Sequence, residues 1–259
     1  SVAGDLSGSV TTQNGGIGEI TVTGKLTGPI SATGAVLTDG DIAAVTIGNG
    51  ITATGSIFAT DELTSLTVSA NGIAAGGFVN VGSISGVTNI TGDLAGNITS
   101  TVGSIGNITV LADLLNTQAG NLSSAVLSAT SVGNLSVAGD LSGSVTTQNG
   151  GIGTVTVNEL TGSLSATGTN AVDGTINAVT IADGSTAGLA NITATGALTS
   201  LTVSAKGYAG DVSVGSIGAT QVTGDLTGKI TSTVGSIGNI TVLADLPNTQ
   251  AGNLSSAVL

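Results

Sequence analysis

The chain contains a copy of itself. Residues 1–18, SVAGDLSGSVTTQNGGIG, return unchanged at 136–153, and residues 99–127, TSTVGSIGNITVLADLLNTQAGNLSSAVL, return at 231–259 with the single change of Leu115 to Pro247. Inside each copy a shorter theme recurs, roughly every 20 to 27 residues. It runs aliphatic, two small residues, aliphatic–polar–aliphatic, then a glycine-containing turn and one more aliphatic. Ile17, Ile20, Val22 and Leu26 carry it in IGEITVTGKL, Ile105, Ile108, Val110 and Leu114 in IGNITVLADL, and Val132, Leu135, Val137 and Leu141 in VGNLSVAGDL. The count is about twelve units, six to a copy.

Period-2 alternation rich in Val, Ile and Thr predicts short strands with one buried face, and the Gly-Asp, Asn-Gly and Asp-Gly pairs predict turns between them. No stretch has helical spacing with a cap. A sandwich gives every strand different neighbours, whereas a solenoid sets each coil on a near-copy of itself, so repetition of this kind selects the solenoid. Stacking then places Ile on Ile and Val on Val, about 4.8 Å apart. The expectation is an all-β, parallel β-solenoid of about twelve coils, right-handed by the preference of parallel crossovers. Residues 1–130 form its first six coils and residues 131–259 the next six, continuous as one solenoid.

Composition narrows the chemistry. The chain has 43 Gly, 15 Asp plus Glu, only Lys25, Lys206 and Lys229 as cations, and a net charge of −12. Nucleic acid is excluded as a partner because no Lys/Arg cluster is present to displace counterions. Without Cys or His there are no disulfides, thiolate nucleophiles or imidazole bases, and no zinc, haem or iron–sulfur site that needs those ligands. No apolar run reaches the length of a membrane span, and no charged start plus apolar segment resembles a signal peptide, so any targeting signal is expected outside these residues. The aliphatic core must be filled by Val, Ile, Leu and Ala, since there are two Phe, one Tyr and no Trp or Met. Phe58, Phe78 and Tyr208 are expected as loop or core fillers in preference to a ligand platform.

The phrases GSIGNITV, VTGDLTG and ITATG resemble the Gly-rich parallel β-helix repeats of very large bacterial surface and filament proteins, of the kind abundant in planctomycetes. The resemblance covers essentially the whole chain and is compositional. It implies an extracellular stalk, fibre or adhesin and brings no catalytic residues with it.

Candidate sites follow from columns. The residue before the turn leucine is acidic at Asp93, Asp113, Asp140 and Glu159, again at Asp225 and Asp245, and at Asp5. If the units stack in sequence order, carboxylates one rung apart repel, and a hard cation such as Ca²⁺ relieves them. The competing reading is a row of solvated acids that keeps neighbouring molecules apart. Asp39 and Asp41 in TDGD, and Asp61 with Glu62 in ATDE, offer further carboxylate pairs, although an Asx turn explains the Asp-Gly step without a metal. Calcium is therefore the one cofactor considered.

The polar position between the second and third aliphatics predicts a column of Thr21, Thr46, Thr67, Thr109, Thr156, Thr180, Thr202 and Thr241, with Ser1 and Ser136, broken by Asn89 and Gln221. A second hydroxyl row is expected through ISAT at 30, ITAT at 51, ITST at 98, LSAT at 164, ITAT at 192 and ITST at 230. Eight Asn-x-Ser/Thr triplets arise from the same alternation.

A position repeated in unit after unit suits structure, since an active site is needed once. The expectation is a non-enzymatic, rod-like segment of an extracellular or cell-surface fibre, with copies of itself as partner, end to end or in tandem. Neither a small-molecule substrate nor a membrane span is expected. The first residues start partway through a unit, which fits a segment of a longer array. The rival is an adhesin or ice-binding module using the Thr and Ser rows.

Overall fold

A computed structural model describes residues 1–36, 39–123, 126–170, 172–185 and 190–254. It is an all-β parallel β-solenoid of about 11 coils. The chain divides into two compact units, Ser1–Thr130 with Val137–Gly139, and Ser131–Ser136 with Asp140–Leu259.

In the first unit each lap visits three columns. The first holds β1 (Val10–Gln13), β3 (Pro29–Thr33), the start of β5 (Ser56–Val68), the start of β6 (Phe78–Ile84), β8 (Asn97–Ser100) and β10 (Val126–Ala129). The second holds β2 (Ile20–Val22), β4 (Ile42–Ile47), the end of β5, β7 (Thr88–Thr91) and β9 (Ile108–Leu111). Strands within a column pair in parallel, each with its counterpart on the next lap. The third column is a corner of single parallel bridges, Leu6 to Leu26 to Ile51 to Ile73 to Leu94 to Leu122.

The second unit repeats the plan. One column holds β12 (Ser144–Gln148), β14 (Ser163–Thr167), the start of β16 (Asn191–Val203), the start of β17 (Val212–Thr223) and β18 (Ile230–Ser232). The other holds β11 (Leu135–Val137), β13 (Ile152–Val157), β15 (Ile176–Ile181), the ends of β16 and β17, and β19 (Ile240–Leu243). Its corner includes Ser185, Tyr208, Leu226 and Leu254 in sequence.

Alternation along each strand sends Ile, Val, Leu and Ala inward, where they stack on their like. Ile30 lies beside Ile57, Ile57 beside Val79 and Val79 beside Ile98, all at 0% exposure. Burying each such side chain contributes about 1.5–3 kcal/mol. Laps vary in length because turns absorb insertions: Asp211 meets Lys229 after 18 residues, and Asp93 meets Asn121 after 28.

Three expectations need correction. Leu114 does not close a coil as Leu94 does, and is 85% exposed, because Asp113 bridges antiparallel to Gln118 and the intervening residues loop out. Leu122 takes the corner instead, and the same exchange occurs at Leu246, 80% exposed, and Leu254. The ITAT at 51 belongs to the corner and not to the second hydroxyl row: Ile51 bridges Leu26 and Ile73, while Thr52 and Thr54 donate to the carbonyls of Leu26 and Thr27. In β5 the residue beside Ser31 is Phe58.

Candidate functional site: acidic corners and polar columns

The corner acids act as acceptors for the next lap. Asp5 Oδ1 accepts the Lys25 amide at 2.7 Å, Asp93 Oδ1 the amides of Gly120 at 3.1 Å and Asn121 at 2.8 Å, and Asp225 Oδ1 the Asn253 amide at 2.8 Å. Outside the corner, Asp41 Oδ1 takes the Glu62 amide at 3.0 Å and Asp211 Oδ1 the Lys229 amide at 2.8 Å. An asparagine does the same at the start of a strand: Asn134 Oδ1 accepts the Thr154 amide at 2.9 Å. Turns break the ladder of strand hydrogen bonds, and these side chains satisfy the amides left over.

Asp113 and Asp245 differ from the others. Each sits in the looped-out segment and folds back to an earlier lap, only 4% exposed. Asp113 accepts the Asn71 amide at 2.9 Å, the Asn116 side-chain amide at 2.7 Å and the Asn116 backbone amide at 3.2 Å. Asp245 accepts the Lys206 amide at 2.7 Å and the Asn248 side chain at 2.8 Å. Those donors, the Asn71 and Lys206 amides first, hold both carboxyls below the usual carboxylate range. Gln118 and Gln250 complete each loop by accepting the amides of Asp93 and Asp225. Both glutamines lie in NTQAGN, which recurs unchanged at 116–121 and 248–253, and that recurrence is the signal the sequence offered.

The stacked-acid spacing on which a calcium stripe depends occurs between Asp140 and Glu159, since Leu141 bridges Leu160. Elsewhere it is interrupted: the corner residue one lap after Asp93 is Asn121, and one lap after Asp225 is Asn253. In the second unit a cation is already present. Lys206 Nζ makes an ion pair with Asp183, and Asp183, followed by Glu159 and Asp140, holds the ammonium above its usual range. Asp39 and Asp41 flank Gly40, whose φ is +95°, as an Asp-Gly turn requires. Beside them, burial and then the carboxylates of Asp41 and Glu62 push Asp61 up. Among the described residues no group of three or more carboxylates is placed to hold a metal ion.

The first hydroxyl column forms as expected. Thr21, Thr46, Thr67, Asn89 and Thr109 stand opposite one another in the first unit, and Ser136, Thr156, Thr180, Thr202, Gln221 and Thr241 in the second. The second row runs Thr11, Ser31, Phe58, Asn80, Thr99 and Ser128, then Thr146, Ser165, Thr193, Ser213 and Thr231 in the other unit.

Aromatic placement splits. Tyr208 is a core filler: its ring is fully buried at a corner position, its hydroxyl donates to the Ala190 carbonyl, and burial pushes the phenol far above its usual range. Its corner neighbour is the small Ser185, whereas the first copy uses two isoleucines, Ile51 and Ile73, at these positions. Phe58 and Phe78, in contrast, point outward, Phe58 half-buried and Phe78 43% exposed. Their parity on the strand causes this: Ile57 and Val79 claim the interior, so residues one step away face solvent.

Comparison with protein-family models, curated proteins and solved structures returned no match. The fold defines the class as parallel β-solenoid. No helix among the described residues is long and apolar enough to cross a membrane.

Proposed function

We propose that the chain is a structural segment of an extracellular or cell-surface fibre, built by lap-on-lap stacking, as in the Gly-rich bacterial surface proteins its sequence resembles. The carrying observation is that each lap stacks in register on a near-copy of itself, Ile30 on Ile57 on Val79 on Ile98 in one unit and Thr156 on Thr180 on Thr202 in the other, so that further laps of the same sequence extend the columns without any new kind of contact.

The acids support this reading as lap-to-lap acceptors that need no metal. Calcium is therefore expected to leave the melting temperature where an ionic-strength control leaves it. A shift beyond that control revives the stripe of Asp93, Asp113, Asp140, Glu159, Asp225 and Asp245.

Sedimentation and electron microscopy across a concentration series test the proposal. Long unbranched threads one coil wide are expected, and Ile240→Asp, which puts a charge into the stacked column of β19, abolishes them. Monodisperse particles at every concentration and salt level refute it. The in-register hydroxyl columns favour one rival, ice or surface binding, for which the readout is thermal hysteresis of the same preparation.

A further inference from the structure

The outward face of the first unit's β3–β5–β6–β8 column carries two adjacent rows. One aligns Ser31, Phe58, Asn80 and Thr99, and the other Ser56, Phe78 and Asn97. Phe58 and Phe78 lie one strand apart and two residues offset, so their Cα atoms are about 8 Å from each other, near enough for the rings to share one patch. Around them stand hydroxyl and amide side chains, with Pro29 beside Ser56 at the start of the second row. Neither row has a charged residue, in a chain of net charge −12.

The second unit is an internal control. Its equivalent strands β14, β16, β17 and β18 place Thr193 where Phe58 stands, Asp211 where Phe78 stands, and Lys229 where Asn97 stands. Two copies that agree letter for letter over long stretches diverge here, one toward exposed rings and the other toward charge. Exposed phenyl groups contribute nothing to the core, and Thr serves the strand equally well at the second site.

We infer that this face binds a neutral polysaccharide. A sugar ring is apolar across its C–H face and polar around its rim, so it stacks on phenyl groups while its hydroxyls meet Ser31, Asn80, Asn97 and Thr99, which donate and accept. Asn80, in the middle of the row, has a buried Oδ1 without a hydrogen-bond partner, so its amide is not fully satisfied within the fold. The lap spacing of about 4.8 Å is close to the length of one sugar residue, so successive residues fall over successive laps. Charge selects among occupants: a polyanion, a nucleic acid or a second copy of this acidic chain is repelled by the surrounding field, and a neutral chain is not. This inference does not depend on the fibre reading, because a single non-assembling molecule has the whole face.

Affinity electrophoresis of the full chain, through gels containing hydroxyethylcellulose, galactomannan or dextran with polygalacturonate as the charged comparator, decides it. Retardation by at least one neutral polymer and none by polygalacturonate is expected. The double variant Phe58→Thr, Phe78→Ser should weaken that binding about tenfold or more while keeping the native melting temperature. The Phe78→Asp variant, which copies the other unit, should weaken it as well. Migration unaffected by every neutral polymer overturns the inference. So does retardation that persists in the double variant. So does a double variant whose only effect is to dissociate dimers, which assigns the patch to a second copy. Because the Ile240→Asp chain is scored in parallel, loss of threads and loss of sugar binding are read separately.

Discussion

At the scale of single residues, the acids at Asp113 and Asp245 link the fold to pH. Their folded carboxyls are held below the ordinary range by backbone and side-chain donors, so their contribution is complete above the unfolded-state value of about 3.9 and is lost as pH falls below it through the lowered folded-state value. The Asp113→Asn, Asp245→Asn double variant should melt below the parent at pH 7, with the gap narrowing as pH falls below the ordinary carboxylate range. Thermal melts across that range check it, and a constant gap contradicts it. Tyr208→Phe removes the donor to the Ala190 carbonyl and should cost about 1 kcal/mol in chemical denaturation. The carboxylate column was legible because acid recurs before leucine, but its role was not. Sequence order placed Asp113 in line with Asp93, and only the loop closed by Gln118 shows that it turns back to Asn71. The outward phenyls were missed because rarity of aromatics suggested core filling, whereas strand parity, already visible in SIFAT, assigns Phe58 outward.

At the scale of strands and turns, stacking makes positions inside a lap unequal in their tolerance. Thr88 and Thr220 occupy matching places in the two copies, each with a buried hydroxyl that lacks a partner. Thr88 stands in register with Leu66 and Ile108, in a column otherwise aliphatic. Thr88→Val keeps the shape and removes the stranded hydroxyl, so a gain of about 1 kcal/mol is expected in denaturant midpoint. The corner glycines are the opposite case. At Gly72, with φ +60°, an added Cβ would stand 1.9 Å from the Asp93 carbonyl oxygen of the next lap, so Gly72→Ala should cost about 2 kcal/mol or more. At Gly8 nothing lies within 4 Å, and Gly8→Ala should stay within about 0.5 kcal/mol. Strands and the Thr column were readable from period 2 because each strand needs only its own alternation. Lap lengths were not, since an excursion such as residues 113–118 obeys turn chemistry without advancing the coil.

At the scale of the whole molecule, the repeat made the solenoid legible before any coordinates, because like residues gain by stacking only in that architecture. The about twelve units read from the repeat correspond to about 11 coils in the fold; VLADL imitates VTGDL and so misplaced one corner leucine, although its strand is a true lap. Net charge of −12 sets the conditions for assembly. Stacked copies repel through exposed carboxylates, so added salt should promote threads while leaving the fold of each chain unchanged. Light scattering against ionic strength measures this, and salt-induced dissociation contradicts it. The most direct test is diffraction from aligned threads of the purified protein. Lap-on-lap growth predicts a reflection near 4.8 Å along the thread axis, since strands then lie across it. The same reflection at right angles to the axis, with strands running lengthwise, would contradict the account.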